Sequence, residues 1–188
     1  MRLFVAFDLS DAARQEARRR AEALRVALPP ARWVDLTGAH LTLVFLGEVP
    51  EERVPALTER LAAAFAPHAP FPLGLAGGGT FPPGRAARVA WVGVEAGPGI
   101  AAVQRDVVAA CVEAVGHEPE SRPYHPHVTL ARCRESWPRP AAERFAAAFA
   151  GPVGEPWTAA HGTLFQSRLS PKGARYTPVA ELPLRGAA

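Results

Sequence analysis

Sliding the chain along itself by 87 residues, the separation of His40 and His127, lays His40-Leu41-Thr42 on His127-Val128-Thr129. A repeat of this length constrains the fold more than any single motif, because a small unit cannot bury its apolar face alone and its twin is the nearest cover. Without a gap, the same offset sets residues 3–7 on residues 90–94, two apolar runs of the kind that form buried strands. Each run ends at an acid, Asp8 or Glu95. Residues 11–28 then fall on 98–115, and both segments read as helices from their Ala, Arg, Glu and Val content and turn-type flanks. Both halves therefore open as strand, helix and His-x-Thr strand.

Further helices are predicted at 51–66 and 140–150, and further strands at 71–75, 158–166 and 176–184. The Gly/Pro clusters at 77–79, 81–84 and 97–99 read as turns and loops. Two units, about residues 1–87 and 88–174 followed by a C-terminal strand, account for nearly all of the 188 residues. They predict one domain, 1–188, of α+β class: bilobal, with two pseudo-symmetric lobes of antiparallel sheet backed by helices and an active-site cleft between them.

Composition narrows the function classes. The chain is 48% hydrophobic, which excludes disorder as its main state, and its longest apolar runs fall far short of the roughly 20 residues a membrane span needs. The N-terminal run is too short for a signal peptide, so a cytoplasmic protein is expected, with Cys111 and Cys133 reduced. Net charge is only +3, yet 20 of the 21 basic side chains are Arg, with Lys172 the exception. Arg suits bidentate phosphate contacts. Genomic composition accounts for the same excess, and so small a net charge fits a protein that handles an RNA end better than one that grips a long duplex.

Along a strand successive side chains alternate faces, so His40 and Thr42 share one side while Leu41 and Leu43 take the other, and His127 and Thr129 stand likewise against Val128 and Leu130. If the lobes are related by a pseudo-two-fold axis, two His/Thr pairs face each other across a cleft. That arrangement suits in-line displacement at phosphorus, which needs a base for the attacking water and an acid for the departing oxygen. Two imidazoles with ordinary pKa values of about 6.5 supply both near neutral pH. The Thr hydroxyls can donate to the non-bridging oxygens.

The residues that carry this chemistry also carry a resemblance. Trp33-Val34 with His40-Leu41-Thr42-Leu43-Val44-Phe45-Leu46-Gly47-Glu48-Val49, and Pro126-His127-Val128-Thr129-Leu130-Ala131-Arg132, resemble the two-histidine phosphoesterases. Arg2-Leu3-Phe4-Val5-Ala6-Phe7, Leu164-Phe165-Gln166-Ser167 and Gly173-Ala174-Arg175-Tyr176 look more narrowly like the bacterial and archaeal RNA 2′,3′-cyclic phosphodiesterases, formerly described as 2′-5′ RNA ligases. The resemblance implies hydrolysis of a terminal 2′,3′-cyclic phosphate to a 2′-phosphate. It implies that His40 protonates the departing O3′, that His127 activates water, that Thr42 and Thr129 hold the phosphate, and that ligation is a weak reverse direction. It also implies phosphate binding by Arg132, although strict alternation puts that side chain on the wrong face unless the strand ends or bulges between Leu130 and Arg132.

His125-Pro126-His127 sets two imidazoles on one strand face, but no acid or Cys cluster lies at ligand spacing, so no metal and no cofactor is expected. His125 or Tyr124 is the expected base-stacking group. Arg168, Lys172 and Arg175 form a candidate basic rim, Ser167 a candidate substrate contact, and His68, His117 and His161 are expected to be structural or surface residues. The expected partner is RNA ending in a cyclic phosphate, tRNA fragments included, with no membrane, no obligate protein partner and a monomeric state. The rival readings are action on a small cyclic nucleotide, an ADP-ribose cyclic phosphate or a 2′-5′ oligonucleotide, and an RNA-end binding module without turnover.

Overall fold

The computed structural model describes residues 1–84, 86–170 and 173–187. Its strands are β1 (Arg2–Asp8), β2 (Ala31–Trp33), β3 (His40–Glu48), β4 (Phe71–Phe81), β5 (Ala87–Glu95), β6 (His127–Trp137), β7 (Trp157–Ala159), β8 (His161–Ser170) and β9 (Gly173–Pro183). The helices are α1 (Asp11–Arg25), α2 (Val54–Phe65), α3 (Gly99–Val115) and α4 (Arg139–Ala148), with 3-10 turns at Leu36–Gly38 and Glu51–Arg53. The Ser10 hydroxyl accepts from the Ala13 N–H at 3.2 Å and starts α1, whose buried stripe of Ala13, Ala17, Ala21 and Leu24 recurs at helical spacing. Burial of such stripes, at roughly 1.5–3 kcal/mol for each large apolar side chain, decides where the helices lie.

The aligned apolar runs become β1 and β5, each near the middle of a sheet, and each pairs with its own His-x-Thr strand: β1 with β3 and β5 with β6. The sheet orders are β3-β1-β8-β9 and β2-β6-β5-β4-β7, antiparallel throughout. The other edge of β1 is taken by β8, and the other edge of β5 by β4. Each half thus lends its later strand to the opposite sheet. The lobes are consequently not the contiguous halves that a division near residue 87 predicts. An apolar central strand must satisfy both hydrogen-bonding edges, and here the second edge is filled from the other half of the chain. The helices cross over in the same way. α2 and α3 pack on each other and on the first sheet, α2 against β8 and β9 and α3 against β3, while α4 covers β4 and β5. α1 lies beside α4, with Arg20 donating to the Pro152 carbonyl at 2.7 Å and Arg144 to that of Ala27 at 3.3 Å.

One continuous apolar core joins the backs of both sheets, from Leu3, Val5 and Phe7 through Leu61 and Phe65 to Val92, Val107, Leu130 and Phe145. On the other face of the first sheet Phe4, Ala6 and Phe165 form a separate small cluster. That face carries His40. Among the described residues no helix is long and apolar enough to cross a membrane.

Residues 77–79 lie within β4 and are not the loop their composition predicts. Gly77 has φ +76° at a break in the β4–β5 register between Leu75 and Gly78, which bends the strand. A side chain at Gly79 would collide with the Trp91 ring. Glycine here lets the indole lie flat on the sheet. Gly79→Ala is expected to destabilise the protein by about 1–3 kcal/mol, the usual cost of overpacking, read as a lower urea midpoint at unchanged slope. An unchanged midpoint would show that Trp91 has room to move.

Candidate active site

His40 opens β3 and His127 opens β6, and both strands start with the same pattern of half-buried and buried residues, so His and Thr face out while Leu or Val faces the core. Each imidazole is tethered through Nδ1 to the carbonyl two residues upstream, His40 to Gly38 at 2.8 Å and His127 to His125 at 2.7 Å. A carbonyl only accepts, so Nδ1 carries the proton in both rings and Nε2 is left to exchange protons with a ligand. The turn that presents the Gly38 carbonyl is itself fixed. Asp35 accepts from the Thr37 N–H at 3.0 Å, and Arg18 donates to the Thr37 hydroxyl at 3.2 Å.

Aromatic rings enclose both histidines. Phe4 stacks on His40 at 4.5 Å between centroids, and Tyr176 meets it edge-on at 4.9 Å. Phe81 and Trp91 approach His127 at 5.1 and 6.1 Å. The repeat offset lays Phe4 on Trp91, so each half contributes one ring at the same place to the floor under its own histidine.

Burial lowers the pKa of both imidazoles, but their charged neighbours differ. For His40 the hydrogen bond to Gly38 and the Asp8 carboxylate oppose the effect of burial, and Arg14 adds to it. Asp8 is the strand partner of His40 and is held by Arg14 at 3.1 Å. For His127 the bond to the His125 carbonyl opposes burial, while the neighbouring His125 and Arg132 lower the pKa further and the more weakly acting Glu120 raises it. The Asp8 carboxylate thus stands beside His40, and the Arg132 guanidinium beside His127.

Arg132 gains its place through a bulge. Opposite β5, Ala90 pairs with Ala131 and Trp91 with Thr129, which leaves Leu130 as an extra residue. Leu130 and Ala131 are both buried, and Arg132 therefore emerges exposed on the face of His127 and Thr129. β3 repeats the device at Leu43, which brings Phe45 out on the face of His40.

The two motifs are joined across the lobes. β3 and β6 approach one another, and the Tyr124 hydroxyl donates to the Thr42 carbonyl at 2.9 Å. Tyr124 is half-buried, its pKa is raised by burial, and its hydroxyl serves as a bridge between the two motifs. His125 is exposed and packs edge-on against Trp91 at 4.6 Å. Among the described residues no three His, Cys, Asp or Glu side chains converge as a metal-ligand set.

Arg168 and Arg175 are exposed register partners in the β8–β9 hairpin, and Lys172 lies outside the described residues. Ser167 is buried and pairs in register with Tyr176. His68 bonds Asp106 at 2.9 Å beside α2 and α3, His117 follows α3, and His161 is exposed at the start of β8. Asp8, Arg14 and the ring floors are contributions that sequence reasoning missed. The repeat alignment carried the signal for Phe4 and Trp91.

Two antiparallel sheets, each presenting one Nδ1-tethered histidine with a threonine two residues on, define a two-histidine phosphoesterase. The sequence profile of the 2′-5′ RNA ligase superfamily matches residues 10–167, and the chain belongs to that family. It is similar to an RNA 2′,3′-cyclic phosphodiesterase of Thermus thermophilus, at 36% identity over 155 residues covering 78% of this chain and 72% of that one. It is also similar to an RNA 2′,3′-cyclic phosphodiesterase of Geobacillus stearothermophilus, at 40% identity over 129 residues. That match covers 69% of this chain and only 41% of the relative. Among solved structures, the Thermus thermophilus protein TT0787 superposes with a TM-score of 0.83 at 31% identity, with each chain covered fully.

Proposed function

We propose that the protein hydrolyses RNA 2′,3′-cyclic phosphate ends to 2′-phosphomonoesters, with His40 as general acid and His127 as general base. The carrying observation is the pair of Nδ1 tethers at 2.8 and 2.7 Å, which leaves both Nε2 atoms available to a ligand. The unequal surroundings support this division of roles. Asp8 favours a proton on His40, whereas Arg132 favours a neutral His127. Water attacks phosphorus as His127 Nε2 takes its proton. The bond from phosphorus to O3′ breaks as His40 Nε2 protonates that oxygen. One water is consumed, the product carries a 2′-phosphate and a 3′-hydroxyl, and the two histidines recover their starting states by exchange with solvent. Thr42, Thr129 and Arg132 hold the non-bridging oxygens, where hydrogen bonds to developing charge matter most.

The names of the relatives support an RNA cyclic phosphate as the substrate. With an RNA 5′-hydroxyl in place of the attacking water, the same two roles join a cyclic end to it through a 2′-5′ phosphodiester, the bond from phosphorus to O3′ breaking as before. The proposed groups all come from one chain, which suits a monomer, and two free cysteines suit the reducing cytoplasm. The test is to incubate the purified protein, with excess EDTA, with a short RNA ending in a 2′,3′-cyclic phosphate. A 2′-phosphate product is expected. Survival of the cyclic end, with turnover of small cyclic nucleotides or ADP-ribose cyclic phosphate instead, would move the substrate class and keep the fold.

A further inference from the structure

Two of the exposed large apolar side chains, Phe45 at 44% and Tyr176 at 37% exposure, stand on the same face of the first sheet as His40. They close the two ends of an aromatic row that crosses the four strands. Phe45 on β3 pairs in register with Phe4 on β1, and Phe4 pairs with Phe165 on β8. The Phe4 ring lies 5.2 Å from that of Phe165 and 5.1 Å from that of Tyr176 on β9. The middle of the row is buried and serves as a floor. Its Phe45 end is open, and the Arg2 guanidinium lies over the Phe45 ring at 4.8 Å. The Arg2 Nε–H finds no acceptor among the described residues.

The second sheet is not built this way. At the position the repeat makes equivalent, where the matching bulge turns the side chain outward, it has Arg132 in place of Phe45. One slot thus places a cation beside a histidine, and the other places a ring under a cation. The proposed reaction sets the attacking water on the side of His127 and the departing O3′, which belongs to the ribose, on the side of His40. The nucleoside then lies over the first sheet. From His40 to Phe45 the strand advances four register steps, Asp8 to Phe4 on its partner, or roughly 13 Å at about 3.3 Å per residue. That is further than one nucleoside extends from its phosphorus, and it falls in the path of the nucleotide before it.

We propose that Phe45 and Arg2 form a subsite for the nucleotide on the 5′ side of the cyclic-phosphate end. The base stacks on Phe45, and Arg2 takes the phosphodiester that joins the two nucleotides. Stacking on an aromatic ring tolerates any base, and a guanidinium meets any phosphodiester, so the subsite reads length and chain continuity without reading sequence. This inference rests on the roles assigned to His40 and His127, and it makes the substrate an RNA end of at least two nucleotides.

The experiment compares kcat/KM for cytidine 2′,3′-cyclic phosphate with that for a cytidylyl-cytidine dinucleotide carrying the same cyclic end. The wild-type protein is expected to favour the dinucleotide by roughly tenfold or more, the scale of one base stack. Phe45→Ala and Arg2→Gln should each bring the ratio toward one, mainly through KM, and Phe45→Tyr should retain it. A wild-type ratio near one, or a ratio that survives both Phe45→Ala and Arg2→Gln, would overturn the subsite while leaving the proposed reaction intact. Turnover of neither substrate would overturn the reaction and the subsite together. If Phe45→Ala dissolves a dimer in sedimentation and leaves the ratio intact, the patch belongs to a second copy of the chain and the subsite is overturned.

Discussion

Replacing either His40 or His127 by Ala is expected to lower kcat on an RNA 2′,3′-cyclic phosphate by roughly 10²–10⁴-fold, the range for loss of a positioned acid or base. The double variant should be little worse than the poorer single one, because residues that act as a unit lose their benefit together. Direction of proton flow separates the two. The bond to O3′ breaks only if that oxygen receives a proton, whereas a p-nitrophenoxide leaves without one. A phosphodiester with that leaving group should therefore restore most of the rate to His40→Ala and little of it to His127→Ala. Steady-state rates of the two variants on the two substrates decide the matter. Equal recovery in both variants would mean that His40 is not the acid, and recovery only in His127→Ala would reverse the roles. Folding is a minor concern at these positions, since both rings are only part-buried and sit on the face turned away from the main core.

The same residues show where sequence reading reaches its limit. The alternation of His40 and Thr42 against Leu41 and Leu43 is local geometry, and the burial of β3 follows it. The helices follow equally well, because an apolar stripe at helical spacing can be buried in only one way. The exchange of β4 and β8 between sheets was hidden, since edge pairing is settled by which strand arrives and each half looks complete when read alone. Gly77 to Gly79 misled for a related reason. Glycine marks a loop when nothing is pressed against it, and here Gly79 answers to the Trp91 ring and Gly78 to Phe149 and Ala146, while Gly77 takes the positive φ of the bend. The Tyr124 bridge was not legible because its hydroxyl bonds a carbonyl far away in sequence, that of Thr42. The bulge weighed for Arg132 has a trace in the sequence, and the one at Leu43 carries the same trace. Leu43-Val44 and Leu130-Ala131 are adjacent apolar pairs at matching places in the repeat, and two core-facing residues in succession break a strand's alternation.

Arg132 puts that trace to use, and its replacement is expected to have two effects that a pH profile can separate. Arg132→Gln removes a guanidinium that the bulge has turned toward the face of His127 and Thr129. If it holds the phosphate, kcat/KM should fall by about 10²-fold, comparable to losing one preorganised donor to a developing anion. Its positive charge also contributes to holding His127 below the usual histidine range, so removing it should raise the pKa of that imidazole. A general base must be unprotonated, and activity on the acid side appears as pH climbs through its pKa. A higher pKa therefore moves the acid limb of the kcat/KM profile to higher pH. Asp8→Asn should act on the other limb. The Asp8 carboxylate favours protonated His40, so its loss lowers that pKa further and brings the basic limb to lower pH. Arg132→Lys keeps the charge and gives up the planar fork, so it should restore the acid limb more fully than the rate. NMR titration of the imidazole protons in the substrate-free protein assigns each limb to its ring. A rate loss in Arg132→Gln with an unmoved acid limb would leave Arg132 as a phosphate ligand without influence on the base. An unchanged rate would mean that the bulge brings the guanidinium to the face of His127 without bringing it to the phosphate.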